Sequence, residues 1–126
     1  MSESRQRALI AAQAVSAKKG ENVVILEVGS LIGITDYFVI CSGRTERQVA
    51  TIQEEVERRL RYSGIKPYRR EGEREQRWIL LDYLDVVVHI FRQEEREYYE
   101  LERLWQDAPR VVFENGKEVA GDGAPA

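Results

Sequence analysis

The side chains of this sequence that are best suited to catalysis are the carboxylates of three aspartates. Asp36 follows a predicted turn at Gly29-Ser30, and Asp82 and Asp85 flank the turn of a predicted hairpin. Carboxylates brought together by a fold can hold the metal ions that catalyse nucleotidyl or phosphoryl transfer. The first hypothesis is therefore a metal-dependent transferase.

The sequence around Asp36 does not support that hypothesis in detail. Nucleotidyltransferases follow a Gly-Ser turn with two aspartates separated by one residue, whereas Asp36 is followed by Tyr37 and Phe38. The second carboxylate is missing, and a metal ion would lack half of its ligands. We expect no transfer reaction, and a divergent nucleotidyltransferase remains only as an alternative.

Nucleophilic catalysis and zinc binding have no better support. Cys41 ends an apolar strand, where most free cysteines are simply buried. His89, the only histidine, lies within another predicted strand, where a packed and hydrogen-bonded side chain is the usual finding. The glycines do not form a phosphate-binding loop, and no spacing of cysteine and histidine is typical of zinc. The sequence therefore predicts no enzyme, no cofactor and no metal ion.

The segment 77–105 instead indicates a binding function. It contains both tryptophans and three of the six tyrosines. With Tyr83 and Leu84 as the turn, strand alternation divides the predicted hairpin into two faces. One face is entirely aliphatic and is expected to be core. The other carries Trp78, Leu80, Asp82, Asp85, Val87, His89 and Phe91. Because a core would not tolerate unpaired carboxylates, we interpret this second face as a docking surface.

A helix predicted over residues 94–106 adds further aromatic side chains. The stripe expected to dock on the sheet consists of Tyr98, Leu101, Leu104, Trp105 and Ala108. Tyr99 and Glu102 would then point away from the sheet. Exposed aromatic and acidic groups suit a protein partner with a basic and partly apolar patch. Any one of these tyrosines could equally well cap the core.

These residues must be positioned by a fold that contains both helices and strands. Hydrophobic periodicity and turn residues predict the order α-β-β-α-β-β-β-α. A capping box of Thr45 with Gln48 begins the clearest helix, which ends at Gly64. The pattern predicts an α/β domain in which a mixed sheet of about five strands is packed against helices. The other predicted elements are helices at 4–19 and 94–106, strands at 23–28, 37–41, 67–70, 78–81 and 86–91, and a last edge strand at 110–113.

Composition places the chain among globular proteins of the cytoplasm. Its 126 residues suffice for one domain, predicted over 1–113, with a flexible tail at 114–126. The net charge of −3 argues against a general nucleic-acid binder, because such proteins usually carry a basic surplus. A single cysteine, no apolar run of bilayer length and no signal-peptide pattern all favour a cytoplasmic location without membrane contact.

Long motifs occur in a fixed order along most of the chain. They are DYFVICSG at residues 36–43, RQV at 47–49, EG at 71–72, WILLD at 78–82, DVVVHIF at 85–91 and YYELERLW at 98–105. Together they resemble the ribosomal silencing factor family, also called Iojap-like. The resemblance extends from about residue 5 to residue 113.

This resemblance implies a fold akin to that of a nucleotidyltransferase, without catalytic residues. Members of the family bind the large ribosomal subunit through its ribosomal protein fourteen, where the small subunit would dock, and thereby slow translation when nutrients are scarce. Mitochondrial and chloroplast relatives are linked to assembly of the large subunit, and free members often form homodimers. The residues expected to form the partner surface are Trp78, Leu80, Asp82, Tyr83, Asp85, Tyr98, Tyr99 and Glu102.

One position departs from the pattern of the family. The hairpin tip is commonly Asp-Tyr-Gly-Asp, and Leu84 replaces the glycine in this chain. A tight two-residue turn requires a positive φ, which leucine adopts poorly. A wider loop, which would move residues between the two faces, is the alternative.

Overall fold

The computed structural model of the protein describes residues 2–114 and 117–118. In that part of the chain the helices are α1 (Glu3–Ala17), α2 (Gly29–Ile32), α3 (Glu46–Tyr62), α4 (Gln93–Tyr99) and α5 (Leu101–Leu104). The strands are β1 (Glu21–Glu27), β2 (Tyr37–Gly43), β3 (Arg69–Glu71), β4 (Trp78–Asp82), β5 (Val86–Arg92), β6 (Arg110–Val111), β7 (Phe113–Glu114) and β8 (Lys117–Glu118).

Among the described residues, six strands form one mixed sheet in the order β3-β4-β5-β2-β1-β6. β2 and β5 are parallel neighbours, and the other neighbouring pairs are antiparallel. The predicted α/β class and mixed sheet are confirmed, with six strands where about five were expected. The strand predicted at 110–113 is divided between β6, which pairs with β1 at the sheet edge, and β7, which pairs with β8.

α3 carries the sequence signals of an amphipathic helix, and the structure confirms them. The hydroxyl of Thr45 accepts a hydrogen bond from the main-chain N–H of Gln48 at 3.0 Å. The side chain of Gln48 accepts one from the N–H of Arg44 at 2.7 Å, one residue before the partner that a capping box would use. The buried apolar residues repeat at helical spacing: Val49, Ile52, Val56 and Leu60. Capping and burial together fix where this helix begins and which side packs inward.

α1 and α3 cover one face of the sheet, which we call the core face. β4 and β5 contribute the aliphatic residues that alternation predicts for it: Ile79, Leu81, Val86, Val88 and Ile90. The small side chains of Ala8, Ala11 and Ala12 are buried and let α1 approach its neighbours closely. Burial contributes about 1.5–3 kcal/mol for each large aliphatic side chain. This layer therefore provides much of the stability of the fold.

The opposite face of the sheet is partly covered by α4 and α5, which replace the single helix predicted over 94–106. The chain leaves the helical path at Glu100, whose φ of 46° is left-handed and whose N–H donates to the carbonyl of Arg96. After the break, the carboxylate of Glu102 accepts from the largely covered guanidinium of Arg96 at 3.1 Å, and that guanidinium also donates to Ser42 at 3.3 Å. The predicted continuous helix was wrong because a contact between distant parts of the chain overrides local propensity.

The turn between β4 and β5 lies one residue later than predicted. The N–H of Tyr83 donates to the carbonyl of Val86 at 2.8 Å, so the two turn residues are Leu84 and Asp85. Leu84 has a φ of 75°, and the N–H of Asp85 donates to the carbonyl of Tyr83 at 3.0 Å, which makes a γ-turn. The carboxylate of Asp82 accepts from the N–H of Leu84 at 2.8 Å and thereby supports this conformation.

The pairing of the two strands shifts with the turn. Leu80 lies opposite His89 and Trp78 lies opposite Phe91, whereas the predicted turn at Tyr83 and Leu84 would place Leu80 opposite Val87. The predicted register was wrong by two residues. Because side chains alternate between the two faces with a period of two, a shift of two residues leaves each of them on the same face. Trp78, Leu80, Val87, His89 and Phe91 therefore lie together on the predicted face.

Replacing Leu84 by glycine should stabilise the protein by about 1 kcal/mol, because the left-handed conformation costs leucine about 1–2 kcal/mol and the entropy that glycine adds to the unfolded chain offsets only part of this. Leu84 is more than half exposed, so little burial is lost with the side chain. The free energy of unfolding from urea titration measures the effect. Leu84→Ala is the matched control, since alanine keeps the strain; an equal gain from both substitutions would contradict this explanation.

The predicted flexible tail, 114–126, lies outside the described residues except for Glu114 and Lys117–Glu118, which belong to β7 and β8. Within the part of the chain that is described, no helix has both the length and the apolar character that crossing a membrane requires.

Candidate protein-docking surface

We call the side of β4 and β5 that faces away from α1 and α3 the open face. It carries Trp78, Leu80, Asp82, Val87 and His89. The ring centroid of Trp78 lies 4.7 Å from that of Phe91 and 4.8 Å from that of Tyr99. Leu101 and Trp105 pack against the same cluster from α5 and the residue after it. The helices thus cover the end of the open face near Phe91 and leave the end near the hairpin tip accessible.

His89 is almost fully buried beneath the open face. The indole N–H of Trp78 donates to Nδ1 of His89 at 3.2 Å, and the ring of Phe38 meets the imidazole edge-on at 4.8 Å. An indole nitrogen can only donate, so Nδ1 is the acceptor and Nε2 carries the proton of the neutral ring. Burial lowers the pKa of His89 from its ordinary value of 6.5 to about 4. The ring is therefore neutral at physiological pH.

The buried imidazole should make the stability of the protein depend on pH between about 6.5 and 4. In this window the unfolded chain binds a proton that the folded chain does not, so stability falls as the pH falls, by roughly 1 kcal/mol per pH unit. Urea unfolding at a series of pH values measures the slope. His89→Phe should remove the slope above about pH 5.5, where carboxylates do not titrate. Because His89 is the only histidine, its titration by NMR is unambiguous, and a folded-state pKa near 6.5 would contradict the prediction.

A groove of about 360 Å³ lies on the accessible end of the open face, between the hairpin tip and the loop after α2. Its lining consists of Ile32, Ile34, Thr35, Phe38, Arg69, Leu80, Asp82, Leu84, Val87 and His89. Ile34 in that loop is 85% exposed, and Leu84 at the hairpin tip is 57% exposed. Large apolar side chains exposed around a concave site are typical of a surface that a partner covers.

Main-chain hydrogen bonds join the two sides of this groove. The carbonyl oxygen of Asp85 accepts from the N–H of Asp36 at 2.8 Å and from that of Tyr37 at 3.2 Å. The carboxylate of Asp85 accepts from the guanidinium of Arg7 in α1 at 2.6 Å. Asp85 thereby holds the hairpin tip against the loop that carries Ile34.

The aspartates of the predicted hairpin do not share a face. Asp82 lies on the open face, where Oδ2 is 3.4 Å from the guanidinium of Arg69. Asp85 binds Arg7 of α1 on the other side, because it is a turn residue and is not part of either strand. In the described ranges, no group of three or more His, Cys, Asp and Glu side chains is placed to hold a metal ion. The two carboxylates support the hairpin and its contacts.

Tyr83 does not belong to the open face. Strand alternation continues through this residue, so its side chain points into the core face and is only 6% exposed. Burial also raises the pKa of its hydroxyl well above the ordinary tyrosine value of 10. The expected position of Tyr83 on the partner surface is corrected, because its side chain is buried with the core face.

The two tyrosines of α4 exchange their expected positions. Tyr98, predicted to dock on the sheet, is 81% exposed, and Leu104 is exposed as well. Tyr99, predicted to point away, packs against Trp78. The break at Glu100 separates Tyr98 from Leu101 and Trp105, with which it would have shared a stripe in a continuous helix. Tyr98 and Tyr99 nevertheless border the open face together, with ring centroids 5.0 Å apart.

Sequence reasoning missed the residues that form the far side of the groove. Ile34 follows Gly33, which has a φ of 71° and ends α2. An apolar residue directly after a left-handed glycine usually packs back against the end of its helix, so no local signal marks Ile34 as exposed. Thr35 gave no signal either, since threonine before a strand is common. Only the parallel pairing of β2 with β5 brings this loop next to the hairpin tip.

Fold and site together define a small α/β domain whose mixed sheet is covered by helices on one face and carries a partly open aromatic surface on the other. The chain belongs to the ribosomal silencing factor family: the family model described as ribosomal silencing factor during starvation matches residues 1–125. The predicted resemblance is thereby confirmed. Membership supports a ribosome-associated role, either in regulating translation or in assembling the ribosome.

Similar proteins extend from bacteria to organelles. Ribosomal silencing factor RsfS of Halalkalibacterium halodurans is 46% identical over 105 residues, which cover 83% of this chain and 90% of that protein. RsfS of Bacillus subtilis is 43% identical over 107 residues, covering 85% and 91%. A mouse protein named mitochondrial assembly of ribosomal large subunit protein 1 is 32% identical over 97 residues, covering 72% of this chain and 42% of that protein.

Two crystal structures share the fold. A protein of Bacillus halodurans has a TM-score of 0.76 and 40% identity, covering 86% of this chain and 99% of that chain. A protein of Chromobacterium violaceum has a TM-score of 0.80 and 29% identity, covering 82% and 87%. These similarities confirm the α/β fold, whereas the expected relation to nucleotidyltransferases stays a prediction.

Proposed function

We propose that this protein binds the large ribosomal subunit through its ribosomal protein fourteen and blocks the joining of the small subunit, which slows translation when nutrients are limiting. The open face carries the proposal, because exposed apolar groups surround a groove there and a protein partner would cover them. Covering the surface of the large subunit at which the small subunit docks would be sufficient to block joining, without any catalysed reaction. The protein would act in the cytoplasm, where the subunits meet.

Apolar and aromatic side chains would contribute most of the affinity. Leu80 lines the groove at the accessible end of the open face, whereas Trp78 lies at the end that α4 and α5 partly cover. Tyr99 packs against Trp78, and Tyr98 contacts Tyr99. Aromatic residues of an interface usually contribute more to binding than their neighbours do. The three carboxylates predicted to meet basic groups of the partner already have arginines of this chain beside them: Asp82, Asp85 and Glu102. These ion pairs hold the three carboxylates in place and partly neutralise them, so they attract basic groups of a partner less strongly.

A role in assembling the large subunit is the second candidate. The name of the mouse relative favours it, since that protein is described as acting in assembly of the mitochondrial large subunit. Both roles would use the same contact with the large subunit. Ribosome profiles of a deletion strain distinguish them: precursor particles would accumulate if assembly fails, whereas mature subunits would join too readily under starvation if silencing is lost.

A divergent nucleotidyltransferase is the remaining alternative, and we propose that the protein is not an enzyme. The Gly29-Ser30 segment and Asp36 line a shallow polar depression without a second aspartate beside Asp36 in the sequence. Calorimetry with nucleoside triphosphates and Mg²⁺ tests this point. Measurable binding that is lost on Asp36→Asn would support the enzyme and contradict our proposal.

The proposed function predicts two results with the unmodified protein. It should co-sediment with isolated large subunits, and it should reduce the light-scattering increase that follows the addition of small subunits. Purified ribosomal protein fourteen should compete for binding. Co-sedimentation without any effect on joining would contradict the silencing mechanism, and failure of ribosomal protein fourteen to compete would contradict the choice of partner.

A further inference from the structure

Two buried polar atoms line the groove of the open face and have no hydrogen-bond partner among the described residues. They are Oγ1 of Thr35 and Nε2 of His89. A buried polar group without a partner costs roughly 1–3 kcal/mol, and native proteins contain few of them. Six buried side-chain atoms of the described residues lack such a partner, and these two share an open groove, where a ligand can supply it.

The hydrogen-bonding character of these atoms limits what the ligand can be. Because Nδ1 of His89 accepts from Trp78, Nε2 carries a proton and can only donate. The hydroxyl of Thr35 can donate or accept. An anion bound in this apolar groove would be desolvated without a free cation to pair with, so a neutral acceptor fits the site better. The cation at the edge of the groove, Arg69, is already engaged by Asp82.

The surroundings of the two atoms are apolar. Ile34 and Leu84 flank the groove, and Phe38 and Val87 lie deeper within it. Its volume of about 360 Å³ is at the lower end of ordinary ligand pockets, which span roughly 300–1,000 Å³. Covering the exposed side chains at the rim requires a partner larger than a metabolite. An apolar side chain next to a main-chain carbonyl, presented by a protein, meets all of these conditions.

We propose that the groove takes an apolar side chain of the ribosomal partner and that His89 and Thr35 bind the main-chain carbonyl beside it. The inference rests on the proposed function and adds to it a defined chemical recognition site. His89 donates from Nε2, and Thr35 donates from Oγ1. Trp78 acts as a positioning residue, because its hydrogen bond to Nδ1 selects the tautomer that can donate into the groove.

Thr35→Val provides the central test, because valine has nearly the shape of threonine without the hydroxyl. The free protein should be as stable as before or more stable, since a buried hydroxyl without a partner is removed. The affinity for large subunits should nevertheless fall, by about fivefold for one neutral hydrogen bond. Loss of binding without loss of stability is a combination that a purely structural role of Thr35 would not produce.

Thr51→Val is the matched control, because Thr51 lies on α3 and donates to the carbonyl of Arg47 at 2.9 Å, away from the groove. This variant should bind large subunits with unchanged affinity. If the unmodified protein binds and Thr35→Val binds equally well, the inference is overturned while the proposed function stands. If the unmodified protein does not bind at all, both are overturned.

The Nε2 proton of His89 gives a second and independent readout. In the complex with purified ribosomal protein fourteen, its NMR resonance should move downfield and exchange more slowly with water, because it becomes hydrogen-bonded. An unchanged resonance in a formed complex would overturn the inference. A Thr35→Val variant that loses self-association but keeps its affinity for large subunits would assign the groove to a second copy of this chain, and would overturn it as well.

Discussion

An aspartate in place of Ile34 should weaken binding to the large subunit by about a hundredfold. Burying an isoleucine side chain in an interface contributes roughly 2–3 kcal/mol, and a carboxylate at the same place must also be desolvated. Ile34 is largely exposed in the free protein and flanks the groove, so the substitution should leave the fold unchanged. Quantitative co-sedimentation gives the affinity, and thermal unfolding verifies the fold.

Tyr62→Asp is the control for this substitution. Tyr62 ends α3 and is 90% exposed, so it is also a large apolar residue on the surface, but it belongs to the layer that covers the core face. The same charge introduced there should not change the affinity. Equal losses from Ile34→Asp and Tyr62→Asp would indicate a general effect of charge and would contradict an interface at the open face.

Replacing Gly72 by alanine should destabilise the protein by about 3 kcal/mol or more, because torsional strain and a direct clash add together. Gly72 has a φ of 83°, and a Cβ built on it would collide with the carbonyl oxygen of Trp78. The main chain of Trp78 cannot move aside as easily as a flexible side chain could. The β3–β4 connection must shift, and Trp78 with it. Urea unfolding gives the loss in free energy.

Gly64→Ala separates the two causes. Gly64 has a φ of 90°, but a Cβ there would have no atom within 4 Å. Only torsional strain remains, and the expected loss is about 1 kcal/mol. If the two alanine variants were equally destabilised, the close approach of Gly72 to Trp78 would not be the cause.

The parts of this fold that the sequence predicts well are those governed by local interactions. The cap at Thr45 and the apolar repeat of α3 involve residues only a few positions apart, and hydrophobic periodicity therefore reveals them. The strand residues of the hairpin were assigned to the correct faces although the predicted register was wrong, because a shift of two residues leaves each side chain on the same face. A register shift of one residue would instead have assigned the side chains of one strand to the wrong faces.

The parts that could not be predicted depend on contacts between distant segments. The guanidinium of Arg96 donates to the carbonyl of Glu21 and to Ser42, both far away in the sequence, and Glu102 reaches the same guanidinium across the left-handed break at Glu100. The docking surface was predicted only in part for the same reason. Its strand residues follow from alternation, whereas Ile34 joins them through the pairing of β2 with β5.

The contacts of Asp85 have a consequence for the rate at which a partner could be bound. Its carbonyl oxygen joins the hairpin tip to the loop before β2, and its carboxylate joins both to α1, so the two walls of the groove are already fixed in the free protein. Ordering a mobile side chain on association costs about 0.5–1.5 kcal/mol, and a preorganised site largely avoids that cost. Association should then proceed as the encounter of two rigid bodies, and substitutions at the surface should act on the lifetime of the complex more than on the rate of its formation.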